Sequence, residues 1–172
     1  MPSLLDSLLN HPIISRVRRN HGLEHATLHI LSRKHPGLFL AGHSDPGGFW
    51  LIGDVPTEEV KAAVEEALTR LRNGERGLAV HPGCGTNYLI SGGLAGLGGA
   101  LALLGARRTR DKIDRLPLVM LFGTVALLFA QPLGFLAQEK ITTDGTPGDL
   151  EVVEIIPTRR GKMPAHRIVT RG

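Results

Sequence analysis

Tyr88–Ala106, YLISGGLAGLGGALALLGA, and Leu116–Gln138, LPLVMLFGTVALLFAQPLGFLAQ, are runs of 19 and 23 residues without a formal charge. An α-helix rises about 1.5 Å per residue, so roughly 20 apolar residues cross a hydrocarbon core of about 30 Å. Both runs reach that length. The nine residues between them, RRTRDKIDR, carry five basic side chains. The pattern predicts a transmembrane helical hairpin with spans 88–106 and 116–138. Two buried helices of a soluble core are the other reading, but a chain of 172 residues has little else with which to cover them. In the first span Gly92 and Gly96 are a small-xxx-small pair that lets helix backbones approach closely. Their partner is either the second span or another membrane chain, including a second copy of this one. Pro132 predicts a kink in the second span, beside Gln131.

Working outward, residues 10–34 carry a helical pattern. With His21 at 0° and about 100° per residue, His25 falls near 40°, Ile14 near 20° and Glu24 near 300°, opposite most of the basic side chains. Arg16, Arg18 and Arg19 read as a solvated face or as contacts to anionic headgroups. Residues 38–53 read as strand, turn and strand, because Asp45-Pro46-Gly47-Gly48 is strong turn chemistry. Thr57 begins a helix whose Val60, Val64, Ala67, Leu68 and Leu71 form one apolar stripe, and Gly74 ends it. Residues 77–82 read as a short strand feeding the first span. Beyond the second span, 150–156 and 166–171 read as two strands pairing with each other. Phe49 and Trp50 read as core residues, with the membrane interface as the other placement.

The expected fold class is therefore α+β: a helix–β–β–helix–β domain over 1–87, a two-helix transmembrane hairpin over 88–138, and a C-terminal β tail over 139–172. Lys and Arg exceed Asp and Glu by 20 − 16 = 4, too little to point to nucleic acid as a partner. A single cysteine, Cys84, excludes an intrachain disulfide and an all-cysteine metal cage. No stretch reads as a cleavable signal peptide. The expected localisation is the cell membrane, with two spans and the 1–87 domain in the cytoplasm. The basic loop argues for the opposite orientation under the positive-inside rule, but Arg70, Arg72, Arg76 and Lys140 flank the spans and blunt that bias.

Two short motifs carry chemistry. In His21-Gly22-Leu23-Glu24-His25 the two histidines stand at i and i+4, project from one helix face, and can both ligate one ion at about 2.0–2.1 Å. Glu24 flanks them and is a candidate general base for an attacking water. The order H-x-x-E-H is that of the inverzincin metalloproteases. Those proteins add a downstream glutamate ligand; here Glu58, Glu59, Glu65 and Glu66 look like ordinary helix-surface acids. The second motif is His81-Pro82-Gly83-Cys84-Gly85-Thr86-Asn87, a tight turn before the first span, where His81 or Cys84 would complete a three-ligand site. His29, one turn beyond His25, reads as a solvated side chain.

Together HGLEHAT (21–27) and HPGCGTN (81–87) resemble a pair that recurs in a family of bacterial membrane proteins of unknown function, H-G-x-E-H-x-T followed by H-P-x-C-G-T-[S/N] just before a transmembrane run. Members are described as predicted metal-dependent membrane enzymes. The resemblance implies a metal-dependent membrane enzyme with the lipid bilayer as a partner; on the residues themselves the candidate zinc ligands are His21, His25, His81 and Cys84, and the candidate catalytic group is Glu24. Three functions stay open on the sequence. One is a zinc-dependent hydrolase acting near the bilayer surface on a membrane-associated peptide or lipid-linked substrate. Another is a non-catalytic assembly or partner-binding protein with a structural metal site. The third is a metal-free buried His/Glu network.

Overall fold

The computed structural model describes residues 3–172, which form two compact units: residues 3–81 with 138–172, and residues 82–137.

The first unit is α+β. A short helix α1 (Leu4–Leu9), closed by a Ser3/Asp6 capping box, leads into α2 (Pro12–Lys34). Pro12 stands in the first turn of α2, where its missing N–H costs no hydrogen bond, and Arg33 and Lys34 lie in the last turn, where cations favour the helix dipole. A hairpin of β1 (Ala41–Asp45) and β2 (Gly48–Ile52) follows, then α3 (Thr57–Arg72), β3 (Glu151–Arg160) and β4 (Met163–Arg171). The hairpin turn is closed by Asp45, whose Oδ1 accepts from Gly47 N–H (2.8 Å), while Gly48 takes a positive φ of 137°.

The four strands make one antiparallel sheet in the order β1-β2-β4-β3. Its register pairs Phe49 with Ile168 across β2 and β4. The core joins one sheet face to two helices: Leu23 and Leu31 of α2, Val60 and Val64 of α3, Phe49 and Leu51 of β2, and Ile168 of β4 are all fully buried. Successive strand residues point to opposite faces. Phe49 thus enters the core as expected, and Trp50 does not. Its ring lies on the other face beside the guanidinium groups of Arg160 and Arg167, at 5.4 and 5.3 Å.

Three sequence expectations change here. Residues 139–172 are not a tail of their own: β3 and β4 pair as expected, but β4 also pairs with β2 and completes the sheet. Residues 77–82 are not a strand. Arg76–Ala79 form a 3₁₀ turn, and the next carbonyls face imidazoles instead of a ladder. The basic cluster of α2 meets chain, not headgroups: Arg18 donates to the carbonyls of Ile141 (2.8 Å) and Thr143 (3.0 Å), Arg16 to that of Gly172 (2.8 Å), and Arg19 pairs with Asp149.

The second unit contains α4 (Gly85–Ala102), α5 (Thr109–Asp114) and α6 (Leu116–Ala137), with α4 and α6 antiparallel and in contact. Gly98 and Gly134 make the close approaches: a Cβ on Gly98 would press on the Phe122 carbonyl, and one on Gly134 would meet the Asn87 side chain. A Cβ on Gly92 or Gly96 would meet nothing within 4 Å, so that pair does not mediate the α4–α6 contact.

Among the described residues one helix is long and apolar enough to cross a membrane: α6 with its π-helical continuation Gln138–Thr142, 27 residues in all. The expected pair of spans is not supported. The first helix ends at Ala102, not at 106, because the chain turns through Gly105 at φ 79°, and Arg115 caps the α4 end by donating to the Ala102 carbonyl (3.3 Å). What is left opens on Gly-Thr-Asn-Tyr and is glycine-rich, so it has length without matching apolar surface. The cytoplasmic placement of residues 1–87, which leaned on that hairpin, is likewise unsupported.

Candidate metal centre

The periodicity that put His21 and His25 on one face of α2 holds. Their rings meet edge to face with centroids 4.3 Å apart. His81, the last residue of the first unit before the chain leaves it, brings its ring to 5.6 Å from that of His25. The sequence-predicted trio His21, His25 and His81 is thus one cluster. Cys84 belongs to the second unit, where it is the buried residue preceding α4.

Each helix imidazole is oriented by a backbone carbonyl. His21 Nδ1–H donates to Thr142 (2.9 Å), in the π-turn, and His25 Nδ1–H to Ala79 (2.7 Å), in the 3₁₀ turn. A carbonyl only accepts, so both protons sit on Nδ1 and both Nε2 atoms carry a lone pair. This is the usual arrangement around a metal-ligating histidine, in which the second ring nitrogen is held by an outer acceptor. The approach of the 142–144 segment to α2 needs Gly22, because a Cβ there would fall on the Asp144 carbonyl. The glycine inside the HGLEH motif therefore has a packing reason.

The electrostatics keep His25 and His81 neutral. Burial, with His21 close by, pushes the His25 pKa down to about 3. Burial, with His29 beside it, lowers that of His81 to about 4. Neutral imidazole is the form that binds metal ions.

Glu24 is 3 % exposed and faces β1. Its carboxylate accepts from the Ser44 hydroxyl and lies under Gly42, where a Cβ would collide with it. Burial raises its pKa, and the Ser44 hydrogen bond offsets part of that rise. The α3 acids are surface groups, as expected: Glu58 pairs with Lys61 (2.8 Å), Glu59 with His35 (2.7 Å) and Glu66 with Arg70 (3.5 Å).

Two members of the cluster were not among the expected site residues. His29 is half-buried, not solvated. Its Nε2–H donates to the Val80 carbonyl (2.8 Å), and its ring lies 4.7 Å from that of His81. The signal for it was a third step of the same i, i+4 spacing, His21, His25, His29. Gln138 is fully buried and grips the His81 backbone at both ends, its Oε1 accepting from His81 N–H (2.8 Å) and its Nε2–H donating to His81 C=O (3.2 Å). As the last residue of an apolar run it gave no local sign of this.

A sequence-family model described as a domain of unknown function (DUF6391) matches residues 16–155. An uncharacterised protein of Picosynechococcus is 38% identical over 157 residues, covering 81% of this chain and 71% of its own. No solved structure matches. The match takes in both histidine motifs, the apolar helices and the start of β3, and the chain belongs to the DUF6391 family, a family of unknown function with a bacterial member.

Proposed function

We propose that this chain is an integral membrane protein that binds zinc through His21 and His25, with Cys84 or His81 as a further ligand, and that it acts as a hydrolase near the bilayer surface on a membrane-associated peptide or lipid-linked substrate. The observation that carries the proposal is the pair of i, i+4 imidazoles whose Nδ1–H groups are each taken by a backbone carbonyl, which turns two Nε2 lone pairs to one side of α2. The donor types suit zinc: imidazole and thiolate are its commonest ligands. Cys84 follows His81 by three residues, so the chain limits their Cα separation to about 11 Å.

Connectivity supports a location near the bilayer surface. Residues 82–137 leave the first unit after His81 and rejoin it at Gln138, and these two residues are hydrogen-bonded to each other at the histidine cluster. If α6 crosses a membrane, its end stands beside the cluster. A zinc ion supplies Lewis-acid polarisation of a carbonyl or phosphoryl oxygen. Glu24 would then take the proton of the attacking water and return it to the leaving group. Gly92 and Gly96, open on α4, would receive a second copy or another membrane chain.

One observation favours a second reading. Glu24 is bonded to Ser44 and seated under Gly42, as a carboxyl with a purely structural role would be. On that reading the ion is structural, four protein ligands close its coordination sphere, and the chain serves assembly.

The test is elemental analysis of detergent-purified protein prepared without chelator, with Cys84→Ser and Glu24→Gln in parallel. The proposal expects zinc in the wild type, less zinc in Cys84→Ser, and full zinc with loss of cellular function in Glu24→Gln. Full zinc with retained function in Glu24→Gln would leave only the structural reading, and a metal-free wild type would overturn both.

A further inference from the structure

A histidine that ligates zinc at about 2.0–2.1 Å puts its ring centre about 3.2 Å from the ion, so two imidazoles sharing one tetrahedral ion have centroids about 5 Å apart. The cluster contains three adjacent pairs near that spacing: His21–His25 at 4.3 Å, His25–His81 at 5.6 Å and His29–His81 at 4.7 Å. A neutral imidazole has one lone-pair nitrogen, so His25 serves one ion only. Once His21 and His25 are assigned to one ion, the row has a second chelating pair, His29 and His81.

We infer that His29 and His81 form a second cation site, taking a divalent transition metal such as zinc. His29 is prepared for it: its Nε2–H is held by the Val80 carbonyl, which puts the lone pair on Nδ1. His81 is prepared differently, by the Gln138 amide that fixes its backbone at both N–H and C=O. Both rings are half-buried, so solvent or an anionic substrate group completes the coordination. The inference rests on the proposed first site, and it assigns Cys84 to that ion and His81 to this one. Two neighbouring ions can clamp both the attacking and the leaving oxygen of a hydrolytic displacement.

The test is a zinc titration of the full chain in detergent, stripped of metal and read by equilibrium dialysis. The informative variant is His29→Gln, because the glutamine amide N–H reaches the position of the imidazole Nε2–H and keeps the Val80 hydrogen bond while removing the ligand. We expect two equivalents in the wild type and one in His29→Gln. The Cys84 site, loaded with cobalt(II), should keep its thiolate-to-cobalt absorption in His29→Gln and lose it in Cys84→Ser. One equivalent in the wild type overturns the second site and leaves the first. Two equivalents in His29→Gln, or loss of the thiolate band there, overturns the assignment of residues. None in the wild type overturns both sites.

Discussion

The two units of the chain treat polar and apolar groups in opposite ways. In the first, polar side chains are buried and each is held: Asn20 donates to the Asp45 carbonyl (2.8 Å) and accepts from Thr170 (2.7 Å), Gln138 grips His81, and His21, His25 and His29 each give a proton to a backbone carbonyl. In the second, large apolar side chains are exposed: Met120 and Leu128 are each 72% and Phe129 61% accessible. An unpaired buried polar group is costly next to apolar surroundings, and a long exposed apolar face is costly in water. The difference lies between a unit whose buried polar side chains are hydrogen-bonded and a helix, α6, whose length and exposed apolar surface suit hydrocarbon.

A charge on α6 should have the largest effect. Leu128 lies near the middle of the 27-residue apolar helix and is mostly exposed. In water Leu128→Arg would change stability by no more than about 0.5 kcal/mol. In hydrocarbon the same change costs about 2.5–3.5 kcal/mol or more. We expect the variant to leave the membrane fraction after a carbonate wash. Retention equal to the wild type would mean that this face does not meet lipid.

Glycine sharpens the comparison by a change of sign. At Gly22 a methyl group collides with the Asp144 carbonyl, so Gly22→Ala should cost about 1–3 kcal/mol. At Gly92 nothing in the single chain lies within 4 Å, so in the monomer Gly92→Ala should stabilise α4 by about 0.5–1 kcal/mol. Thermal unfolding of the two variants in the same detergent checks this: the midpoint should fall for the first and hold or rise for the second. A fall for Gly92→Ala would show that a partner already occupies that face.

Acid acts more gradually, over several pH units. The folded pKa of His25 is about 3, against about 6.5 in an unfolded chain, so between these values the unfolded state binds the extra proton. The contribution of His25 to the stability of the metal-stripped protein should therefore be flat above about pH 6.5. Below that it should decline by up to about 1.4 kcal/mol per pH unit as pH falls. Denaturant midpoints from pH 8 to 5 test this, and a midpoint that rises on acidification would contradict the buried neutral imidazole.

Much of this was legible in the sequence, for local reasons. Periodicity placed His21 and His25 on one face of α2, turn chemistry placed the β1–β2 hairpin, and the apolar stripe of α3 marked its core face. What the sequence hid was non-local. The pairing of β4 with β2 joins residues more than a hundred positions apart, and nothing in either strand names its neighbour. Gln138 was hidden for the same reason, since its partner His81 lies across the whole apolar insertion. The first expected span was misjudged because freedom from charge was taken as apolarity, whereas glycine contributes neither charge nor apolar area. His29 was misread because its angle on the wheel was weighed without the turn that packs against it, whose Val80 carbonyl takes its proton.

The central claim is that His21 and His25 are metal ligands and not merely buried polar side chains. The most direct test is the zinc content of the wild type against a His21→Asn/His25→Asn double variant. The asparagine amide N–H stands where each imidazole Nδ1–H stood, so the bonds to Thr142 and Ala79 persist while both Nε2 ligands are gone. The account predicts zinc in the wild type, with loss of at least one equivalent in the double variant at unchanged far-ultraviolet circular dichroism. Equal zinc in the two proteins, or none in the wild type, would contradict it.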